Sequence, residues 1–365
     1  MSGLMNWGRL GAVVTKELRQ LRRDRITLAM IVGIPVMQLL LFGYAINTNV
    51  RDLSAGIADQ ADTAGSRALV LDLLATGVVA PVAEADTPQE LEAMLKQGRI
   101  SVGIFVPPDF ERRRVDGREA VQIMVDGSDN AVQNAALQLA QMPVDGSSRI
   151  PGGGAVSVVA FYNPERRSAV NVVPGLIGVI LTMTMVLFTG VAIVRERERG
   201  NMELLIATPV SRAELMIGKV LPYVAIGLVQ TTVVLTLGLT LFEVPVRGSI
   251  LDVYLAAGLL ILANLTLGLL ISTRAQSQFQ AMQMTFFVFL PSILLSGFMF
   301  PFAGMPVPVQ WLAEALPLTH FLRLIRGVML RGATLAQLWP DVLALVGFTV
   351  VMMTLAITRF RKRLD

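Results

Sequence analysis

Residues 168–209 have the sequence SAVNVVPGLIGVILTMTMVLFTGVAIVRERERGNMELLIATP, in which a long apolar run changes abruptly into alternating charges. The 27 residues between Arg167 and Arg195 carry no charge. A helix needs about 20 mostly apolar residues to cross the hydrocarbon core of a membrane. This stretch therefore predicts a membrane-spanning helix over 172–194 that ends in a charged loop.

The whole chain has the composition of an integral membrane protein. Of its 365 residues, 53% are hydrophobic and 16% are charged, and its mean hydropathy is +0.61. Soluble domains carry about a quarter charged residues, so this balance excludes a disordered chain and a soluble nucleic-acid-binding protein. With no cysteine and one histidine, disulfides, thiolate chemistry and multi-histidine metal sites are excluded as well.

Uncharged intervals elsewhere complete an α-helical polytopic membrane protein with six transmembrane helices. The interval between Arg274 and Glu314 has 39 uncharged residues, too many for one helix. Its second half is rich in proline and glycine, which predicts a re-entrant or interfacial segment over 301–325. The other five predicted spans lie at 26–46, 219–243, 252–274, 278–300 and 338–358.

The N-terminal segment 1–25 predicts an amphipathic helix on the cytoplasmic membrane surface. Apolar residues recur at spacings of three and four from Trp7 to Leu21, opposite a cationic face. This pattern favours contact with membrane lipid over the alternative of a solvated helix.

Basic residues set the predicted orientation. Six precede the first span, five lie in the loop over 195–219, and four follow the last span. With six spans, the positive-inside rule places both termini in the cytoplasm. Arg323, Arg326 and Arg331 are exceptions on the outer side, where we expect them to be tucked against the protein. The pI of 9.7 is thus a topological feature and does not indicate nucleic-acid binding.

Residues 47–171 predict an extracytoplasmic α/β domain between the first two spans. This region holds 11 basic and 16 acidic residues, against 20 and 11 in the rest of the chain. Three apolar runs predict short buried strands at 54–59, 100–107 and 120–126. Thr87 and Gly98 bracket a predicted helix as N-cap and C′ residue. A second helix is predicted at 129–142, followed by a flexible connector.

Four carboxylates stand at the predicted strand ends of this domain: Asp59, Asp62, Asp126 and Asp129. Carboxylates can act as acid and base or bind metal, but aspartate is also favoured for capping turns. No nucleophile motif or histidine accompanies them. Turn capping is the favoured interpretation, and no catalytic or metal site is predicted.

The charged loop resembles the signature of type-2 ABC exporter permeases, E-R-E-x-G-T-x-E-x-L-x-x-T-P. Asn201 stands where the family usually has threonine. Four further stretches are similar to the family: KELRQLRRDR before the first span, SVGIFVPPDFERR and VDGSDNAVQN in the outer domain of its drug-export-like branch, and FYNPERRSAVNVVPG before the second span. The residues that match the loop signature are Glu196, Arg197, Glu198, Gly200, Glu203, Leu205, Thr208 and Pro209.

This resemblance implies an exporter in which two permeases, identical or different, pair with two cytoplasmic ATPases. The loop would carry the coupling helix that receives the ATPase's motion, and a periplasmic adaptor often completes such systems. The only Gly-Lys pair is Gly218-Lys219, and Ala213 occupies the position that a phosphate-binding loop needs as glycine. ATP and Mg²⁺ would therefore be bound by a separate ATPase subunit, with no cofactor in this chain.

Within the spans, the near absence of carboxylates argues against an ion-driven transporter. Met and Phe side chains either line an apolar route for amphiphiles or, as is favoured for any one of them, face lipid or pack in the helix bundle. Two residues of the segment 301–325 are of interest. His320 is either a pH-sensitive gate or an ordinary interfacial residue. Glu314 needs a partner, for which we expect Arg323 or Arg326. Two alternatives remain for the whole protein: a non-transporting membrane scaffold or sensor, and a membrane-embedded enzyme.

Overall fold

The computed structural model describes residues 52–140, 156–165, 167–198 and 212–359, a sheet domain followed by long helices. The predicted N-terminal helix and the first predicted span lie outside these residues. So do Gly200, Glu203 and Pro209 of the predicted coupling loop. The six-span count therefore stays a prediction.

The sheet domain contains five strands in the order β2-β1-β3-β4-β5. Neighbouring strands run parallel except β3 and β4, which are antiparallel. Val102 and Ile104 of β3 are fully buried, as expected for a central strand covered on both faces. The strands are β1 Leu53–Asp59, β2 Val79–Glu84, β3 Val102–Val106, β4 Val121–Asp126 and β5 Val156–Phe161.

Four helices connect these strands, and their caps follow the sequence. The Thr87 side chain accepts a hydrogen bond from the backbone N–H of Glu90, which confirms it as an N-cap. Gly98 has φ +69°, the left-handed conformation that a C′ residue needs. The helices are α1 Ala64–Ala75, α2 Pro88–Lys96, α3 Phe110–Val115 and α4 Asn130–Ala140.

The predicted count of three strands is wrong. β2 was missed because Pro81 interrupts its apolar pattern. Proline is tolerated there because β2 is an edge strand. β5 was missed because it begins immediately after the glycine-rich run of the predicted connector, and its apolar residues continue into the helical region.

Five described helices are long and apolar enough to cross a membrane. Several bounds differ from the sequence prediction, and two of these differences have a clear cause. α5 continues to Glu198, so the first four residues of the predicted loop 195–219 are helical, and α8 stops early because Gly297 takes φ +88°. The five helices are α5 Ser168–Glu198, α6 Arg212–Thr240, α7 Ile250–Ser272, α8 Gln278–Leu295 and α11 Trp339–Arg359.

Two short helices occupy the proline-rich segment between α8 and α11. They are α9 Val307–Glu314 and α10 Pro317–Arg326, and a π-helical turn, Gly327–Arg331, follows. Phe321 of α10 is fully buried. Its ring lies where a β-carbon on Gly178 of α5 would clash. α10 is therefore packed into the helical core, and the depth of this segment in a membrane stays a prediction.

The helices α5 and α7 approach each other closely at Gly268. A β-carbon on Gly268 would lie 2.7 Å from the carbonyl oxygen of Val186 and 2.9 Å from Cβ of Thr189. Such contacts need small residues, since membrane helices associate through packing and interhelical hydrogen bonds. Asn264, one turn earlier in α7, donates a hydrogen bond to Thr182 of α5 at 3.1 Å.

We expect Gly268→Ala to destabilise the protein by about 1–3 kcal/mol, because the added methyl meets a rigid backbone carbonyl. The measurement is the temperature at which half of the detergent-solubilised protein loses its monodisperse elution peak. Gly258 of the same helix has no atom within 4 Å of an added β-carbon. Gly258→Ala is the matched control, and we expect it to leave stability unchanged or to raise it by up to about 1 kcal/mol. Equal effects of the two substitutions would contradict the close approach.

Candidate functional site

The charged end of α5 contacts the turn between α7 and α8. The guanidinium of Arg197 donates hydrogen bonds to the carbonyl oxygens of Ser272, at 2.9 Å, and Ala275, at 3.0 Å. Ser272 is the last residue of α7, and carbonyl groups at a helix C-terminus lack intrahelical partners. Arg197 thus caps α7, with its positive charge at the negative end of the helix dipole.

The next residue, Glu198, makes the complementary contact. Its carboxylate accepts a hydrogen bond from the backbone N–H of Gln278 at 2.9 Å and a second one from the Gln278 side chain. Gln278 is the first residue of α8, where free N–H groups and a positive dipole end favour an anion. Glu198 therefore caps α8 as Arg197 caps α7.

The contacts of Arg197 and Glu198 explain why charges of opposite sign stand at adjacent positions. Opposite charges at adjacent positions are placed against the opposite dipole ends of two consecutive helices. A displacement of the residues that follow Glu198 would be transmitted to both α7 and α8. Of the other predicted coupling residues, Glu196 lies on the same turn of α5. Gly200, Glu203 and Pro209 lie outside the described residues, and their role stays a prediction.

At the other end of α5, the arginines that contradict the positive-inside rule bind acidic groups. Nη1 of Arg331 lies 3.1 Å from Oδ2 of Asp126, at the end of β4, and both side chains are at most 10% exposed. Nη1 of Arg326 lies 3.7 Å from Oδ2 of Asp129. Arg331 and Arg326 thus tie the short helices to the outer domain, and their partners explain why arginine occurs there.

Glu314 pairs with Arg323, one of its two expected partners. Arg323 donates hydrogen bonds to both carboxylate oxygens of Glu314 and lies 3.5 Å from Asp341 at the start of α11. His320 lies 2.8 Å from both Oδ1 of Asp341 and the Glu314 carbonyl oxygen. With an acceptor at each ring nitrogen, the doubly protonated imidazole satisfies both contacts. The four side chains join α9, α10 and α11, while a function of Glu314 in transport stays a prediction.

Tyr162 and Arg247 form a further contact where β5 leads into α5. Tyr162 is buried in the left-handed conformation at φ +71°, and burial raises the pKa of its hydroxyl to about 12. The guanidinium of Arg247 lies 5.5 Å from the ring centroid of Tyr162 and donates to its carbonyl oxygen at 3.3 Å. Tyr162 therefore fixes the junction between the outer domain and the first described span.

The strand-end carboxylates have structural partners. Asp59 accepts hydrogen bonds from the backbone N–H groups of Ala61 and Asp62 and from the Ser66 hydroxyl. Asp126 accepts from the N–H of Ser128 as well as from Arg331. Within the described ranges, no three His, Asp or Glu side chains come together as metal ligands would. The local contacts of Asp59 and Asp126 cap turns, as the sequence favoured, whereas the contact of Asp126 with Arg331 is an ion pair between distant elements.

The five long apolar helices, with a folded sheet domain ahead of them, are those of a polytopic membrane protein. Residues 25–358 match the family model described as "ABC-2 family transporter protein". The chain therefore belongs to the ABC-2 transporter family.

Curated relatives from Escherichia coli K12 match along almost the whole chain. The chain is 31% identical to "Probable multidrug ABC transporter permease YbhS", with 99% of each chain covered. It is 28% identical to "Probable multidrug ABC transporter permease YbhR", with 97% of this chain and 99% of the relative covered. It is 29% identical to "Inner membrane transport permease YhhJ", with 95% of each covered. These names indicate a transport subunit rather than an enzyme.

Proposed function

We propose that this protein is the permease subunit of an ATP-driven exporter that moves amphiphilic, drug-like or lipid-like, substrates out across the bacterial inner membrane. In this proposal it has six spans with both termini in the cytoplasm. Two permeases form the transport path between them. A separate cytoplasmic ATPase binds ATP and Mg²⁺, and a periplasmic adaptor contacts the outer domain.

The contacts of Arg197 and Glu198 carry this proposal. They connect the predicted coupling loop to the ends of α7 and α8. An ATPase that moves the loop would therefore shift two spans together and bias the permease between two states. Relatives named as multidrug permeases support the substrate class.

The alternative function is a membrane scaffold or sensor that transmits a signal between the outer domain and a cytoplasmic partner. The ion pairs of Arg331 and Arg326 with the outer domain are compatible with it. The two functions differ in the partner that they require, since only the exporter needs an ATPase bound at the coupling loop.

The test is a tagged pull-down from mild detergent, with the recovered proteins identified by mass spectrometry. We expect wild type to recover a phosphate-binding-loop ATPase and Glu203→Lys to lose at least about 90% of it, because reversal of a charge in a docking surface costs several kcal/mol. Glu119→Lys makes the same charge change on the exposed surface of the outer domain. This control should recover the ATPase as wild type does.

Each outcome of the pull-down separates the proposals. ATPase retained by Glu203→Lys would keep the exporter and place the docking site elsewhere. If no ATPase is recovered under conditions in which a related exporter complex stays intact, the scaffold alternative replaces the exporter.

A further inference from the structure

Two adjoining cavities lie beneath the outer domain, where it meets the short helices. Their volumes are about 240 Å³ and 160 Å³, and Asp129, Gly297, Pro301 and Arg326 line both of them. Taken together they fall within the range of about 300–1,000 Å³ that is usual for small-molecule sites. Arg326 stands where the two cavities meet.

Arg326 makes few contacts for a buried guanidinium. Its side chain is 15% exposed, and the one ion pair that it makes with described residues, to Asp129, has a nitrogen–oxygen distance of 3.7 Å. Nε of Arg326 is buried without a hydrogen-bond partner. A guanidinium has five N–H donors, and unmade hydrogen bonds of a buried charged group are costly. A bidentate anion would supply the missing acceptors.

The other charged groups around the larger cavity are already bound. Asp126 is held by Arg331 and Ser128. Asp341 is held by His320 and Arg323. A cationic ligand would thus have to break strong pairs to reach Asp126 or Asp341, and at Asp129 it would compete with Arg326. An anion at Arg326 meets the same competition but also supplies an acceptor for the unpartnered Nε.

The smaller cavity adds an apolar wall beside this charge. Phe298, Met299 and Phe300 line it, together with Val172 of α5. Met299 is 60% exposed, so the wall continues to the protein surface. An acyl chain or ring system attached to an anionic head group could lie along this wall.

We propose that Arg326 binds the carboxylate or phosphate head group of an anionic amphiphile, whose apolar part lies along Phe298–Phe300. The head group displaces Asp129 from the guanidinium and loosens the contact between α10 and the outer domain. This inference rests on the proposed export function and specifies its outer binding site, at which substrate leaves the permease.

Photolabelling tests this site without ATP or the ATPase. The full chain in phosphatidylcholine nanodiscs is irradiated with palmitic acid that carries a diazirine, and mass spectrometry locates the labelled peptides. We expect labelling of 297–302 that dodecyl phosphate competes away and dodecyltrimethylammonium does not. Competition by inorganic phosphate as strong as that by dodecyl phosphate would identify a site for the free anion. Loss of labelling in nanodiscs that contain phosphatidylglycerol would identify a site filled by membrane lipid.

Variants assign the charge. We expect Arg326→Gln to lower labelling of 297–302 by about tenfold, since a charge-assisted hydrogen bond is lost, and Arg326→Lys to retain part of it. Asp129→Asn removes the competing carboxylate and should raise labelling above wild type. Arg112→Gln, at an arginine whose side chain is 80% exposed on α3, is the matched control and should label as wild type does.

Competition by the cation equal to that by dodecyl phosphate would overturn the proposal, as would unchanged labelling in folded Arg326→Gln. If Arg326→Gln does not fold, Asp129→Asn decides, and labelling at or below the wild-type level would overturn the site. Absence of an ATPase from the wild-type pull-down, with intact labelling, would refute the exporter and leave the anion site. Intact ATPase docking without selective labelling would refute the anion site and leave the exporter.

Discussion

Substitution of Arg331 by methionine is expected to destabilise the protein by about 3–5 kcal/mol, because it leaves the carboxylate of Asp126 buried without its counter-charge. The two side chains are 10% and 9% exposed, so the substitution leaves a charge in a largely buried position. The Arg331 guanidinium also lies against Gly98, where an added β-carbon would be 2.9 Å from Nη1. The substitution therefore loosens the contact of the short helices with both β4 and the end of α2.

The measurement is the temperature at which half of the tagged, detergent-solubilised protein no longer elutes in its monodisperse peak. Asp126→Asn should be destabilising for the same reason as Arg331→Met. The double variant should lose less than the sum of the two, since removal of both charges leaves none buried alone.

The pair of Asp62 and Arg67 supplies the control. It joins the same two residue types, here both within the outer domain, but its side chains are 85% and 59% exposed. Arg67→Met is expected to change stability by no more than about 0.5 kcal/mol, because exposed ion pairs contribute little. A loss in Arg331→Met as small as that in Arg67→Met would show that the pair does not hold the domain in place.

The membrane helices could be predicted because their signal is local. A charge-free interval of sufficient length defines each span, and the five described helices lie within a few residues of the predicted ones. Thr87 and Gly98 were predictable for a similar reason, since a cap depends on the backbone next to it. The end of α5 was misplaced because charges mark the membrane boundary and do not terminate a helix.

The ion pairs of Arg326 and Arg331 with the outer domain could not be assigned from sequence, because their partners are far apart along the chain. Arg331 and Asp126 are 205 residues apart, and only the fold of the outer domain brings them together. The sequence did signal that Arg323, Arg326 and Arg331 were anomalous on the outer side. It named Arg323 as one of two candidate partners of Glu314, but it could not indicate that the other two arginines bind the inserted domain.

For the predicted coupling residues, too, the sequence indicated the residues and the fold was needed for their partners. The alternating charges marked Arg197 and Glu198 as unusual, and a family resemblance suggested what they do. Their contacts with Ser272 and Gln278 lie 75 and 80 residues away. Pattern alone therefore gave the residues, while the helix ends that they cap required the fold.

Substitution of Arg197 by glutamine is expected to lower export at least about tenfold, because two charge-assisted hydrogen bonds to the end of α7 are lost. Binding of the ATPase should persist, since the predicted docking residue Glu203 is unchanged. Export is measured as ATP-dependent uptake of an amphiphilic dye into inside-out vesicles. Arg197→Lys should be intermediate, because an ammonium lacks the planar fork that reaches both carbonyl groups.

A second readout needs no substrate. Arg274 lies exposed in the turn between α7 and α8, beside the two carbonyl groups that Arg197 holds. Loss of Arg197 should free this turn and increase tryptic cleavage after Arg274 in inside-out vesicles. Arg195→Gln is the matched control, because Arg195 is exposed near the same end of α5. Wild-type export combined with increased cleavage would separate the turn from transport, and the path of coupling would then have to run through α6 instead.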